Sequence, residues 1–261
     1  MTDSVLRGQS GAVATITINR PAARNALTNE TKLSLLSALR DCSADPGIRA
    51  VILTGAGGAF CAGQDLREHA DQAAADGAPL DTVRDHYNPI VMTITGMAKP
   101  VIAALPGVAA GAGASLAFAC DFRIAARRAS FLMAFARIGL TADSGASWTL
   151  PRLIGSARAA ELLMLAEPVS ADRALELGLV TSVTDDEELP AAAAAFASRL
   201  AAGPTLAYAA IKESLLFAAG HGLHEALGKE ADLQDQLGQS ADHQAATQAF
   251  LRKEQPVFEG R

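Results

Sequence analysis

The sequence predicts an α/β body followed by a helical carboxyl-terminal region. Two observations carry the first part: apolar, strand-like runs end in glycine-rich loops, and each loop opens a helix. The third is a change of character near residue 186, after which the chain is Ala-rich and strand-poor. The 261 residues, half of them apolar and 19% charged, are enough to bury a substantial core. A core over residues 1–190 and a helical region over 191–261 is the division this implies.

The opening run GAVATITINRP alternates small or β-branched residues and stops at Pro21, which reads as a strand and a turn. A helix follows, with Thr28 as its cap, Leu33, Leu36 and Leu39 at helical spacing, and the breakers Pro46 and Gly47. AVILT at 50–54 is a buried strand that runs into GAGGAFCAGQDL. Residues 67–88 are polar and acid-rich and are interrupted by Gly77 and Pro79, the pattern of a helical lid over the body. A helix with Ile90, Ile94 and Met97 on one face leads to a second unit, KPVIAALPG and GVAAGAGASLAFA. Short strands at DFRIAA and ASFLMAF precede a third loop, RIGLTADSGASW, and another helix. Beyond residue 186, helices at 205–219 and 223–237 carry Leu206, Ile211, Leu215 and Leu216. With Phe196 and Leu200 these must pack on the body or on another subunit.

Several function classes are excluded. The net charge of -6 and the lack of a basic cluster interleaved with aromatics leave nothing to track a phosphate backbone. No apolar run approaches the roughly 20 residues that span a bilayer, and MTDSVLRGQS has no leader pattern, so no membrane partner and a cytoplasmic location are expected. Cys42, Cys61 and Cys120 are few, scattered and odd in number, which fits a reducing compartment. Gly111-Ala-Gly113 lacks the third glycine of a dinucleotide loop, because Leu116 stands there. His221 and His224 lack the rest of a zinc motif, and no Gly-x-Ser-x-Gly elbow serves Ser115 or Ser144.

Two constellations remain. The loops at 55–63 and 107–113 either make tight turns or present backbone N–H groups to a developing oxyanion. Asp143, among small and apolar residues before a helix, is either an N-cap or a desolvated carboxylate that moves a proton.

Taken in order, RPAARNALT, VILTGAGGAFCAGQDL, KPVIAALPGVAAGAGASLA, the stretch to LPRLIG and the tail ADHQAATQAFLRKEQPVF resemble the enoyl-CoA hydratase/isomerase (crotonase) superfamily along nearly the whole chain. The resemblance implies a spiral of ββα units with a carboxyl-terminal helical trimerisation region, assembled as a homotrimer or homohexamer. It implies an acyl-CoA thioester substrate, with coenzyme A entering as part of that substrate and no separate metal or redox cofactor. The thioester carbonyl would sit between the backbone amides of Gln64 and Ala112. Coenzyme A and the acyl group would lie against Arg24, Ala62, Gly63, Asp65, Leu66, Gly111, Phe135 and Tyr87.

Within the superfamily, hydratases carry two glutamates, and Ser115 and Phe135 stand at those positions here. Asp143 matches the acid/base aspartate of the epoxyphenylacetyl-CoA isomerases, whose pattern AGQDL, Tyr87-Asn88-Pro89 and GVAAGAGA also resemble. The implied activity is therefore an isomerase that shifts a proton and a double bond through an enolate, in phenylacetate or fatty acid metabolism. The alternatives are a hydratase of broad specificity, an aryl-CoA dehalogenase using Asp143 as nucleophile with His86 as base, and a non-catalytic acyl-CoA binder.

Overall fold

A computed structural model describes residues 3–76 and 81–261. It opens with a hairpin, β1 (Val5–Ser10) and β2 (Val13–Ile18), in antiparallel register from Val5 opposite Ile18 to Ser10 opposite Val13. Only the second strand is visible in the sequence pattern. VLRGQS is an edge strand that lies almost wholly in solvent, so it has no buried face to make it alternate.

After a 3-10 turn at Pro21–Ala23 comes α1 (Asn29–Ala44), capped as expected, with the Thr28 hydroxyl accepting the Thr31 N–H at 3.2 Å. The predicted apolar face is shifted by one position. Leu36 and Leu39 are buried, Leu33 is exposed, and Leu35 takes its place. At 3.6 residues per turn the face made by 35, 36 and 39 begins at 32, so Lys32 points inward.

The chain continues through β3 (Ala50–Gly55), α2 (Leu66–Asp76), a π-helical turn (Val83–Tyr87) and α3 (Asn88–Gly96). Of the lid expected at 67–88, α2 and the π turn are the described parts, while Gly77 and Pro79 lie outside the described residues. Next come β4 (Val101–Leu105), β5 (Ala109–Ala110), α4 (Ala112–Ala119), β6 (Phe122–Ala126), β7 (Ser130–Leu132) and a 3-10 helix at Ala134–Ile138. α5 (Ala146–Leu165), which breaks its helical path at Gly155, leads to β8 (Val169–Ser170), α6 (Ala171–Leu177) and β9 (Ser182–Thr184). The helical end comprises α7 (Leu189–Ala201), α8 (Thr205–Ala218), α9 (Leu223–Gly238) and α10 (Ala241–Arg252).

The main sheet has the order β1-β2-β3-β4-β6-β9 and is parallel from β2 onward; a small sheet, β5-β7-β8, stands beside it. Both faces of the main sheet are covered, which explains why its central strands read as continuous apolar runs. Val51, Leu53, Val101, Ala103 and Leu105 face one core with α1, α3 and α4, and Ala50, Ile52, Ile102 and Ala104 face the other. That second core is closed by α7 through Leu189, Ala193, Ala197, Leu200 and Ala201. α7 is thus a layer of the α/β body, although its composition resembles that of the helical end. Phe196 and Leu200 pack there, whereas Leu206, Ile211, Leu215 and Leu216 stay exposed on this chain. Lys212 of α8 reaches back to Asp121 at 2.7 Å and to the carbonyls of Ile94 and Lys99. Among the described residues no helix is long and apolar enough to cross a membrane.

Candidate active site

Both glycine loops leave the sheet on the same side and are stitched together by backbone pairing. The Cys61 N–H donates to Val108 O at 3.2 Å, and the Ala110 N–H donates to Cys61 O at 2.9 Å. The first loop is held from beneath by the buried Asn25, whose amide donates to Ala56 O and Ala59 O. Leu27, just before α1, pairs with Gln64 in a parallel bridge: the Leu27 N–H donates to Gly63 O and the Asp65 N–H to Leu27 O. In such a bridge the intervening Gln64 N–H must point away from Leu27. Ala112 opens α4, where the first turn has N–H groups with no intrahelical acceptor. Gly111 before it adopts φ 51° and ψ -127°, a conformation that only glycine tolerates and that aims the Ala112 amide. Among the described residues neither the Gln64 nor the Ala112 N–H donates to a protein acceptor. A β-carbon at Gly63 would lie 3.3 Å from the Ala112 nitrogen, so the two amides belong to one constriction.

Asp143 stands at the end of the loop before α5, and its capping role is excluded by the turn that follows it. Ser144 (φ 51°) and Gly145 (φ 79°) both take left-handed backbone, Gly145 is the N-cap, and no side chain caps that helix. The Asp143 carboxylate instead accepts the Ser144 hydroxyl at 2.8 Å, and only its backbone carbonyl serves the helix, accepting from Ala146. Burial raises its pKa above the ordinary carboxylate range, and the Ser144 hydroxyl and the Lys32 charge draw it only partly back. Phe135 is buried, but Ile138 and Leu140 are exposed on this chain, because the 3-10 helix turns them outward. Ser115 is buried in α4 and donates to Gly111 O at 3.2 Å, so neither it nor Phe135 puts a carboxylate into the site.

Lys32, which the sequence reading overlooked, joins these parts. It has no exposed surface. Its ammonium donates to Gln64 Oε1 at 3.1 Å and to the Thr82 hydroxyl, and it lies 5.0 Å from the centroid of the Tyr87 ring. Tyr87, also buried, donates its hydroxyl to Gln64 Oε1 at 2.6 Å, while Thr82 meets His86 Nδ1 at 3.1 Å. Burial lowers the Lys32 pKa to about 8, against the raising effect of Glu68 and Asp143. The signal for Lys32 was present in the sequence as a charge on the apolar face of an amphipathic helix. Thr82 gave none, since its geometry depends on the π turn that follows it, and His86, named as a base in the dehalogenase alternative, meets the Thr82 hydroxyl.

The remaining expected residues lie on the outer rim. Asp65 and Leu66 line a groove of about 790 Å³ with Arg20, Thr28 and Arg67. The Asp65 carboxylate is already engaged, however, by Arg20 at 2.9 Å and by the Arg67 and Glu68 N–H groups at the start of α2. Burial opposes its charge, and these partners more than offset that, so its pKa is lowered. Arg24 is exposed with left-handed backbone (φ 50°), and its carbonyl accepts the Ala62 N–H at 3.0 Å. Cys61 is inert as a nucleophile: burial pushes its thiol up to about 12. Among the described residues no three His, Cys, Asp or Glu side chains are grouped as metal ligands. A further cavity of about 590 Å³, between α8, α9 and α10, includes none of the residues of this site.

Chemically, the arrangement offers two neighbouring backbone amides without a protein acceptor, one carboxyl of raised pKa and one buried cation. The model of the enoyl-CoA hydratase/isomerase family matches residues 8–261. The chain is 43% identical over 253 residues to a protein of Rhodobacter capsulatus named a probable enoyl-CoA hydratase, covering 97% of this chain and 96% of that one. It is 41% identical over 262 residues to the 1,2-epoxyphenylacetyl-CoA isomerase of Escherichia coli K12, covering all of both chains. Among solved structures, one from Mycobacterium abscessus, provisionally named an enoyl-CoA hydratase/isomerase, superposes with a TM-score of 0.94. It is 44% identical and the match covers 98% of this chain and 100% of that one.

Proposed function

The chain belongs to the enoyl-CoA hydratase/isomerase family, and from that premise we propose that it is an acyl-CoA isomerase working through an enolate. In this reading the thioester carbonyl lies between the Gln64 and Ala112 amides, and the charge that develops on its oxygen acidifies the adjacent carbon. Each such donor is worth about 2.7–4 kcal/mol of transition-state stabilisation. Asp143 takes a proton from that carbon and returns it two carbons away as the double bond moves, so nothing is gained or lost overall. A 3-enoyl-CoA would give its 2-enoyl isomer. The finer assignment is 2-(1,2-epoxy-1,2-dihydrophenyl)acetyl-CoA, whose ring opens to an oxepin by the same shift; the Escherichia coli relative bears that activity in its name.

The observation that carries the reading is Asp143: a partly buried carboxyl of raised pKa that caps no helix, in a site where Ser115 and Phe135 supply no second carboxylate. Asp143→Asn should abolish both isomerisation and exchange of the substrate α-protons with deuterium, while acyl-CoA binding, measured calorimetrically, stays within a few-fold of wild type. Wild-type exchange and turnover in that variant would sink the proposal.

The Rhodobacter capsulatus relative favours a second reading, hydration of 2-enoyl-CoA. Removing a general acid or base costs about 10² to 10⁴-fold. Crotonyl-CoA should therefore be hydrated at least about 10²-fold more slowly than a matched 3-enoyl-CoA is isomerised. Comparable rates would favour the hydratase.

A further inference from the structure

A lysine with no exposed surface and no carboxylate in contact is an expensive thing to keep. Lys32 is so placed. Its direct partners are all neutral: Gln64 Oε1 at 3.1 Å, the Thr82 hydroxyl and the face of Tyr87. The two carboxylates that act on it do so at a distance. One of them, Glu68, is already engaged, accepting the Asn29 N–H at 2.8 Å at the start of α1. The other is Asp143. The ammonium therefore touches the side chain of Gln64, to whose amide the thioester oxygen is assigned, and acts through its charge on Asp143, to which the proton is assigned.

Resting on the function proposed above, we propose that Lys32 is a positioning residue of the reaction. With Tyr87 it clamps the side chain of Gln64, and its positive charge supports the negative charge that passes between Asp143 and the bound enolate, so that turnover requires Lys32 to hold its proton. The clamp follows from geometry. Gln64 Oε1 accepts from Lys32 and from the Tyr87 hydroxyl at 2.6 Å together, so the side chain is gripped from α1 and from the π turn while its backbone is paired with Leu27. A displacement of about 1 Å in such a support costs on the order of 10²-fold in rate.

The charged and titratable groups around the ammonium are, among the described residues, Glu68 from α2, His86 and Tyr87 from the π turn, and Asp143 from the loop before α5. Burial and the Lys32 charge lower the pKa of His86, and burial raises that of Tyr87. Lys32 is left as the group that changes charge near pH 8.

Two variants and one spectroscopic measurement test this. Lys32→Met keeps the length of the side chain without the charge, and Lys32→Arg keeps the charge without the single-point geometry. In wild type kcat should fall as pH rises through about 8. In Lys32→Met kcat at pH 7 should drop about 10²-fold with KM nearly unchanged, and the alkaline fall should vanish; Lys32→Arg should shift that fall to higher pH. Wild-type kcat in Lys32→Met, or an alkaline limb that persists there, overturns the proposal. A lysine that merely packs would lower stability without removing the limb. Independently of turnover, protein labelled with ¹³C at lysine Cε should show one resonance, absent from Lys32→Met, that titrates near 8 and moves lower still in Asp143→Asn. Titration near 10.5, or no response to Asp143→Asn, overturns the charge coupling. Loss of α-proton exchange in wild-type protein would instead count against the isomerase reading, and the labelled-lysine titration would still decide this one.

Discussion

Replacing Gly113 by alanine sets a methyl carbon 2.2 Å from the carbonyl oxygen of Cys61 and 2.8 Å from its Cβ. Carbon and oxygen do not approach much closer than about 3.3 Å, so α4 and the first glycine loop must separate by on the order of 1 Å. The atom struck is the acceptor of the Ala110 N–H, the bond that ties the two loops together. The Ala112 amide, one residue before the substitution, would move relative to the Gln64 amide by a comparable amount. Loss of one oxyanion donor lowers kcat by about 10² to 10³-fold, while overpacking costs about 1–3 kcal/mol of stability. The variant should thus fold, melt several degrees lower and retain about a hundredth or less of wild-type kcat at saturating acyl-CoA. Gly96→Ala is the control: nothing lies within 4 Å of its added carbon, it sits in the last turn of α3, and kcat should be unchanged. A folded Gly113→Ala enzyme with kcat within threefold of wild type would refute the assignment of the oxyanion site to these two loops.

Because the Asp143 pKa is raised, its base form is lost as pH falls through a value above the ordinary 3.9 or so. The acid limb of wild-type α-proton exchange should lie above that value, and a limb at or below it would contradict the desolvated site. Lys32 holds its proton less tightly in the folded chain (about 8) than in the unfolded one (10.5), so between those values the unfolded state binds more protons and stability rises with pH. Below pH 8 keeping the buried charge costs about 3 kcal/mol relative to the neutral amine, comparable with the roughly 1.5–3 kcal/mol that each of its two charge-assisted hydrogen bonds returns. In urea, wild type should therefore gain about 3 kcal/mol relative to Lys32→Met between pH 7 and pH 10.5; a difference that does not change with pH would mean that Lys32 titrates normally in the folded chain. Met164, Leu165, Leu215, Phe250 and Leu251 are all exposed on the single chain, and we expect light scattering to give three or six times the monomer mass of 26.8 kDa at micromolar concentration; a monomeric mass would rule this out.

Local periodicity in the sequence determined the strands β2, β3, β4 and β6, the Thr28 cap and the apolar face of α3. Those depend on neighbours a few positions away, and the residues say which way they face. Gln64 and Ala112 were marked only by the resemblance to the family, because the glycine loops by themselves fit tight turning as well as backbone N–H groups presented to a ligand. β1 was illegible because an edge strand in solvent has no buried face to alternate. α7 looked like part of the helical end because composition cannot say that Ala193 and Ala197 close the second face of a sheet whose strands reach back to Val13. Whether Asp143 caps α5 was open until two left-handed residues set its side chain outside the first turn of that helix. Lys32 needed the tertiary structure most. Whether a lysine on a helix is a solvated charge or a buried one at the centre of a site depends on a one-residue phase of the apolar face, and on Gln64, Thr82 and Tyr87 arriving from elsewhere in the chain to meet it.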